Sequence, residues 1–204
     1  MNKILTEVSD YYNKKIKEHG ATSKGVDWNG IESHNLRFIQ LTQLINDDVY
    51  SLIDYGCGYG AIIDYLDEIK QKFNYTGYDI ANEMIIVGNE KYKNRNEIKF
   101  TDAIETIKPH DYCIASGIFN VRLTNDEIEW KKYIIETLDK MNQLCTKGFS
   151  FNLLTSYSDK EFMRDYLFYA EPEWLFKHCK ENYSTQVALL HDYPLYEFTI
   201  LVKK

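Results

Sequence analysis

Proline is scarce in this chain, three in 204 residues, and no apolar run approaches the roughly 20 residues of a membrane span. The N-terminus, MNKILTEVSDYYNKK, lacks the apolar core of a secretion signal, so the expected location is the cytoplasm, with no membrane partner. Paired cysteines are also missing. Cys57, Cys113, Cys145 and Cys179 stand far apart with no C-x-x-C, which argues for buried reduced thiols over a disulfide framework or a metal site. Basic residues are outnumbered, 24 Lys and Arg against 31 Asp and Glu, and the net charge of −7 makes nucleic acid a poor partner. There is no internal repeat, low-complexity tract or flexible linker. The expectation is one domain over 1–204, with 44% hydrophobic residues to build a core.

What is present begins with two amphipathic helices. In the first, over 2–18, Ile4, Leu5, Val8, Tyr12 and Ile16 lie close to one stripe; the second carries Leu36, Ile39, Leu41, Leu44 and Ile45. Residues 1–46 are expected to form a helical lid. From residue 50 strands and helices alternate: VYSLIDYG, NYTGYDI, EIKFTD, DYCIAS and FSFNLLT are strands, with helices over 61–71, 81–93 and 124–145. Such alternation predicts a mostly parallel sheet covered by helices on both faces. An aromatic-rich insertion over 155–181 follows. The final segment, 182–204, holds two strands separated by a few residues around Pro194, too few for a parallel crossover, so it is an antiparallel hairpin. The predicted fold is therefore α/β: Rossmann-like and doubly wound, its seven-stranded sheet mostly parallel with one antiparallel strand.

The stretch SLIDYGCGYGAIIDY places Gly56, Gly58 and Gly60 where a strand turns into a helix. Bare backbone there lets a ligand lie against the chain near a helix N-terminus. GCGYGA also satisfies G-x-G-x-x-A, a dinucleotide pattern. Asp54, two residues before the first glycine, would repel a pyrophosphate and attract a ligand with an ammonium and a sulfonium. Asp79 ends the second strand of this core, where a carboxylate can accept ribose hydroxyls. Asp102 ends the third, from which it can meet an adenine amino group.

These residues resemble the class I S-adenosylmethionine-dependent methyltransferases, over about 50–204, through DYGCGYG, GYDI, FTDA, ASGIFN and the closing hairpin. The resemblance implies S-adenosyl-L-methionine as cofactor. In the family the glycine loop, here Gly56, Gly58 and Gly60, cradles the methionine part. The acid after the second strand, here Asp79, holds the ribose, and Ile80 after it packs on adenine. Asp102 and Ala103 of FTDA and Ser116 of ASGIFN complete the expected cofactor set, within a cofactor core of 50–154. HGATSKGVDW and ALLHDYPLYEFTILV also look like small bacterial methyltransferases associated with surface-polysaccharide genes, which tilts the acceptor towards a sugar or a small phosphate-bearing group.

The loop after the fourth core strand reads SGIFNVR, not the N/D-P-P-Y of amino-directed methyltransferases, so a small-molecule acceptor is expected, methylated on oxygen. Its walls are expected from Tyr12, His19 and Trp28 of the N-terminal region, from Phe119, Asn120 and Arg122, and from Arg164 and Tyr169 of the insertion. His191, at the end of TQVALL, is the candidate general base; His34, His110 and His178 read as surface positions. Two other readings stay open: a catalytically inactive cofactor-binding module acting through a partner protein, and an NAD-dependent oxidoreductase. Oligomeric state is not legible.

Overall fold

The computed structural model describes residues 3–22 and 30–204. Helices α1 (Lys3–His19) and α2 (Ile31–Thr42) precede β1 (Val49–Tyr55), α3 (Ala61–Glu68), β2 (Lys72–Tyr78), α4 (Asn82–Lys91) and β3 (Ile98–Thr101). Then come β4 (His110–Ala115), α5 (Glu127–Leu144), β5 (Cys145–Leu154), α6 (Pro172–Asn182), β6 (Gln186–Leu190) and β7 (Glu197–Lys203).

The strands form one seven-stranded sheet in the order β3-β2-β1-β4-β5-β7-β6. β1 pairs in parallel with β2 and β4, and β4 with β5, while β7 runs antiparallel to both β5 and β6. The predicted doubly wound architecture and terminal hairpin are therefore present. The strand order reverses between β1 and β4, where open α/β sheets bind ligands.

Alternation along each strand sorts side chains between two cores. Ile53, Cys113, Ala115, Phe149, Phe151, Phe198, Ile200 and Val202 face α5 and α6. Leu52, Tyr112, Ile114 and Leu201 face α2 and α3. α5 forms because Trp130, Ile134, Leu138 and Met141, all fully buried, recur at helical spacing. The carboxylate of Asp126 caps it by accepting from the Ile128 and Glu129 amides at 2.8 and 3.3 Å. The chain passes from Leu144 directly into β5, which starts four residues earlier than FSFNLLT suggests.

The N-terminal helices differ in role. α1 lies over the ligand edge of the sheet: Ile4 and Val8 join the α5-side core, and Ser9 Oγ donates to the Ile80 carbonyl at 3.0 Å. α2 is built into the other core through Phe38, with Leu44 just past its end, and its fully buried Leu41 has a carbonyl that accepts from Ser150 Oγ at 2.9 Å.

Beneath α2 the sheet is polar. Ser150 and Asn152 of β5 and Glu197 and Thr199 of β7 are buried on that face. Arg37 of α2 donates to Glu197 through Nε (2.8 Å to Oε2) and Nη2 (2.5 Å to Oε1). Asn152 Nδ2 donates to the same carboxylate at 2.6 Å, and Asn152 Oδ1 accepts from the Gly117 amide at 2.7 Å. Removing one member of a buried pair strands the other charge. Glu197→Ala is therefore expected to cost about 3–5 kcal/mol in denaturant unfolding, and a double variant that also carries Arg37→Leu should recover part of that loss.

Candidate active site

The glycine loop is fixed by the neighbouring strand. The amides of Gly56 and Cys57 both donate to the Tyr78 carbonyl, at 2.7 and 3.0 Å. The Gly58 amide donates to Asp79 Oδ2 at 2.8 Å, and the Ala81 amide to Oδ1 at 2.8 Å. Gly56 has φ 77°, and a Cβ there would stand 2.2 Å from Ile118 Cγ2, so conformation and space both demand glycine.

A cavity of about 340 Å³ opens at this loop. Its walls include Asp54 and Tyr55 from β1, Gly56 to Gly58, Tyr78 at the end of β2 with Asp79 and Ile80 after it, and Ser116 to Ile118 after β4. α1 adds Leu5, Val8 and Tyr12, α2 adds His34 and Phe38, and α5 adds Tyr133, Glu136 and Thr137. Among these lining residues there is no lysine or arginine.

Burial pushes the Asp54 carboxyl up to about 7, against the Tyr75 hydroxyl that donates to it at 2.9 Å, and the nearby Asp79 pushes it further. Burial likewise raises Asp79 to about 6, opposed by the Ala81 and Gly58 amides. Two poorly solvated acids without a counter-cation suit a cationic ligand and oppose a pyrophosphate. Asp79 still has lone pairs beyond its two backbone bonds, as a ribose diol needs. Ser116 Oγ is buried with no partner among the described residues. An adenosine carrying a sulfonium and an amino-acid tail fits this donor and acceptor set.

A second cleft, about 840 Å³, adjoins the first. Tyr12 and Gly117 line both. The second also takes Arg37, Asn120, Ser158, Phe162, Arg164, Tyr166, Tyr169, Tyr193, Tyr196 and Glu197. The insertion reaches it by pairing with the loop after β4: the Leu123 amide donates to the Tyr166 carbonyl at 2.8 Å, and the Phe168 amide to the Asn120 carbonyl at 2.8 Å.

Several expected residues lie elsewhere. Phe119 is fully buried between Phe151 and Tyr133, its carbonyl accepting from Trp130 Nε1 at 3.0 Å, so it is core and not an acceptor wall. Arg122 turns back to donate to the Asn125 carbonyl at 2.9 Å and lines neither cavity. Asp102, exposed beyond the short β3, and Ala103 also line neither. Gly60 caps α3, where a Cβ would meet Phe100 and Ile63. His19 is exposed at the end of α1. His191 is exposed just past the end of the outermost strand, beside Tyr157 and Phe198, and lines neither cavity. Trp28 falls outside the described residues. His34, read from sequence as a surface position, is instead 8% exposed and lines the first cavity.

The two raised acids link pH to stability. A carboxyl that titrates higher in the folded chain than its ordinary 3.8 contributes stability at low pH that is lost as pH rises towards about 7. His34 acts oppositely: burial and then Arg37 lower it to about 4, so its contribution is lost as pH falls below about 6.5. The diagnostic is thus a difference between variants. In thermal or denaturant unfolding of the ligand-free protein, Asp54→Asn should gain stability over the wild type at pH 8, on the order of 2 kcal/mol, and the gain should shrink as pH falls below about 7 and vanish only below about 3.8.

With the geometry in place, comparison with known proteins becomes specific. Residues 28–191 match a family model described as a methyltransferase domain. A Mycobacterium tuberculosis protein, Rv1506c, which carries a provisional methyltransferase name, is 52% identical over 157 residues, covering 77% of this chain and 95% of its own. Magnesium protoporphyrin IX methyltransferase from Synechocystis PCC 6803, solved with S-adenosylmethionine bound, superposes with a TM-score of 0.68 at 15% identity, over 100% of this chain and 98% of that one. The N-methyltransferase NodS from Bradyrhizobium japonicum WM9, solved with S-adenosylhomocysteine, gives 0.63 at 14% identity, over 97% and 98%. At such identities the structural likeness speaks for the fold alone. The sequence matches carry the family, and this chain belongs to the methyltransferases.

Proposed function

We propose that the protein transfers the methyl group of S-adenosylmethionine to an oxygen of a small molecule, a sugar or a small phosphate-bearing metabolite. One observation carries this reading: the anionic cavity and the aromatic cleft meet at Tyr12 and Gly117. Bound S-adenosylmethionine supplies an electrophilic methyl on a sulfonium. Asp79 holds the ribose, Asp54 balances positive charge, and Ile80 covers one face of the base. α1 lies over the opening, where Leu5, Val8 and Tyr12 exclude water.

Displacement at a methyl group is in line, so the residues of the second cleft act by alignment. Tyr166, Tyr169, Tyr193, Tyr196 and Phe162 offer ring faces for a sugar, and Arg164 stands at an exposed position for an anionic group. Glu197, the one carboxylate among the described residues of that cleft, is oriented by Arg37 and Asn152 to accept from an acceptor hydroxyl. His191, outside both cavities, has no part in this scheme.

Calorimetry should register binding of S-adenosylhomocysteine and none of NAD. Asp79→Ala should weaken the former about tenfold to a hundredfold, the value of one or two hydrogen bonds to a charged group. Unchanged affinity in a folded variant would remove the ribose assignment. In turnover assays with candidate acceptors, Arg164→Ala should raise the KM of the acceptor and leave that of the cofactor nearly unchanged, whereas His191→Ala should retain turnover.

A further inference from the structure

Asn120 follows the turn after β4, and its side chain is tied down at one end only. Its Oδ1 accepts from the Leu154 amide at 3.0 Å, which settles the orientation of the carboxamide and leaves Nδ2 as the free end. The backbone is held as well: the Asn120 carbonyl accepts from the Phe168 amide at 2.8 Å, and its amide donates to the Gly117 carbonyl at 3.3 Å. Asn120 is 7% exposed and lines the second cleft, yet Nδ2 has no partner among the described residues. An amide donor withdrawn from water and left unpaired is costly, and an oxygen of a ligand in the cleft would satisfy it.

We infer that Asn120 is the specificity-determining contact of the acceptor site: its Nδ2 donates to an oxygen on the atom next to the one that is methylated, so the acceptor is a vicinal diol of a sugar. The inference rests on the oxygen-methylation reading above and narrows its acceptor class.

Leu154 stands opposite Glu197 in the β5–β7 pair, so Asn120 and Glu197 flank one strand end and line the same cleft. Glu197 accepts and Asn120 donates, and two neighbouring hydroxyls answer both characters at once. A donor on the reacting oxygen would compete for the lone pair that must point at the methyl group. Asn120 therefore serves the neighbouring oxygen. Gly117, where the two cavities meet, is the residue whose carbonyl its backbone amide holds. A neutral carboxamide suits a neutral hydroxyl. A phosphate calls for cations, and the described residues of this cleft supply Arg164 and Arg37, the latter bound to Glu197.

The test measures methyl transfer from radiolabelled S-adenosylmethionine to methyl glycosides of common hexoses, to analogues each lacking one hydroxyl, and to the matching sugar phosphates. The wild type should use a glycoside that carries the diol at least tenfold better, in kcat/KM, than the analogue without the neighbouring hydroxyl. Asn120→Asp keeps an acceptor for the Leu154 amide and removes the donor. It should erase that discrimination, raise the KM of the glycoside about tenfold or more, and leave S-adenosylhomocysteine affinity unchanged in calorimetry. Asn120→Ala serves if the aspartate variant does not fold. Discrimination retained in a folded variant, or a wild-type preference for the sugar phosphates, would overturn the inference alone. A wild type that binds S-adenosylhomocysteine but methylates no glycoside would overturn the sugar reading and the inference with it, and one that does not bind it would overturn the cofactor reading.

Discussion

The structure depends on burying negative charge at the carboxyl ends of two adjacent strands. Asp54 on β1 is buried and Asp79 after β2 is half-buried, and a carboxylate so placed must be hydrogen-bonded or neutralised. Asp79 takes its bonds from the Gly58 and Ala81 amides, so the glycine loop and the start of α4 are folded around it. Among the described residues Asp54 receives only the Tyr75 hydroxyl, at the point where the cavity opens. The burial that raises this carboxyl also makes a neighbouring positive charge favourable there.

A second buried polar structure lies on the α2 face, and it borders the second cleft. Arg37, Glu197 and Asn152 link a helix, the reversed strand and a central strand, and the last bond of the series holds the Gly117 amide at the meeting point of the two cavities. The cofactor cavity is thus made mainly from strand ends and the turns that follow them. The second cleft is made mainly from the loop after β4, the insertion and the β6–β7 turn.

Hydrophobic periodicity made the alternating elements legible, and the short link around Pro194 made the reversed strand legible, because local covalent geometry leaves few alternatives. That Asp54, Gly56, Gly58, Asp79, Ile80 and Ser116 would lie along one edge was legible for a related reason: each is bound to the end of a particular strand, and a parallel sheet brings those ends together. Residues on loops and helices were less readable. Phe119 sits two residues after Gly117 in a loop, yet the chain turns it inward against Phe151 and Tyr133. His34 lies in the polar run ESHN, which by composition looks solvated, and it is buried only because α2 packs against α3 and the sheet.

By itself the sequence determined the order and type of the elements, the sheet's one reversal, and the acidic, glycine-lined end of β1, since each follows from spacing of two to four residues. Only the tertiary structure decided which histidine enters the site, which arginines face the cleft, and that Glu197 and Asn152 meet Arg37. Those outcomes join positions 45 to 160 residues apart. They depend on which helix covers which face of the sheet, a choice made by the packing of the whole chain.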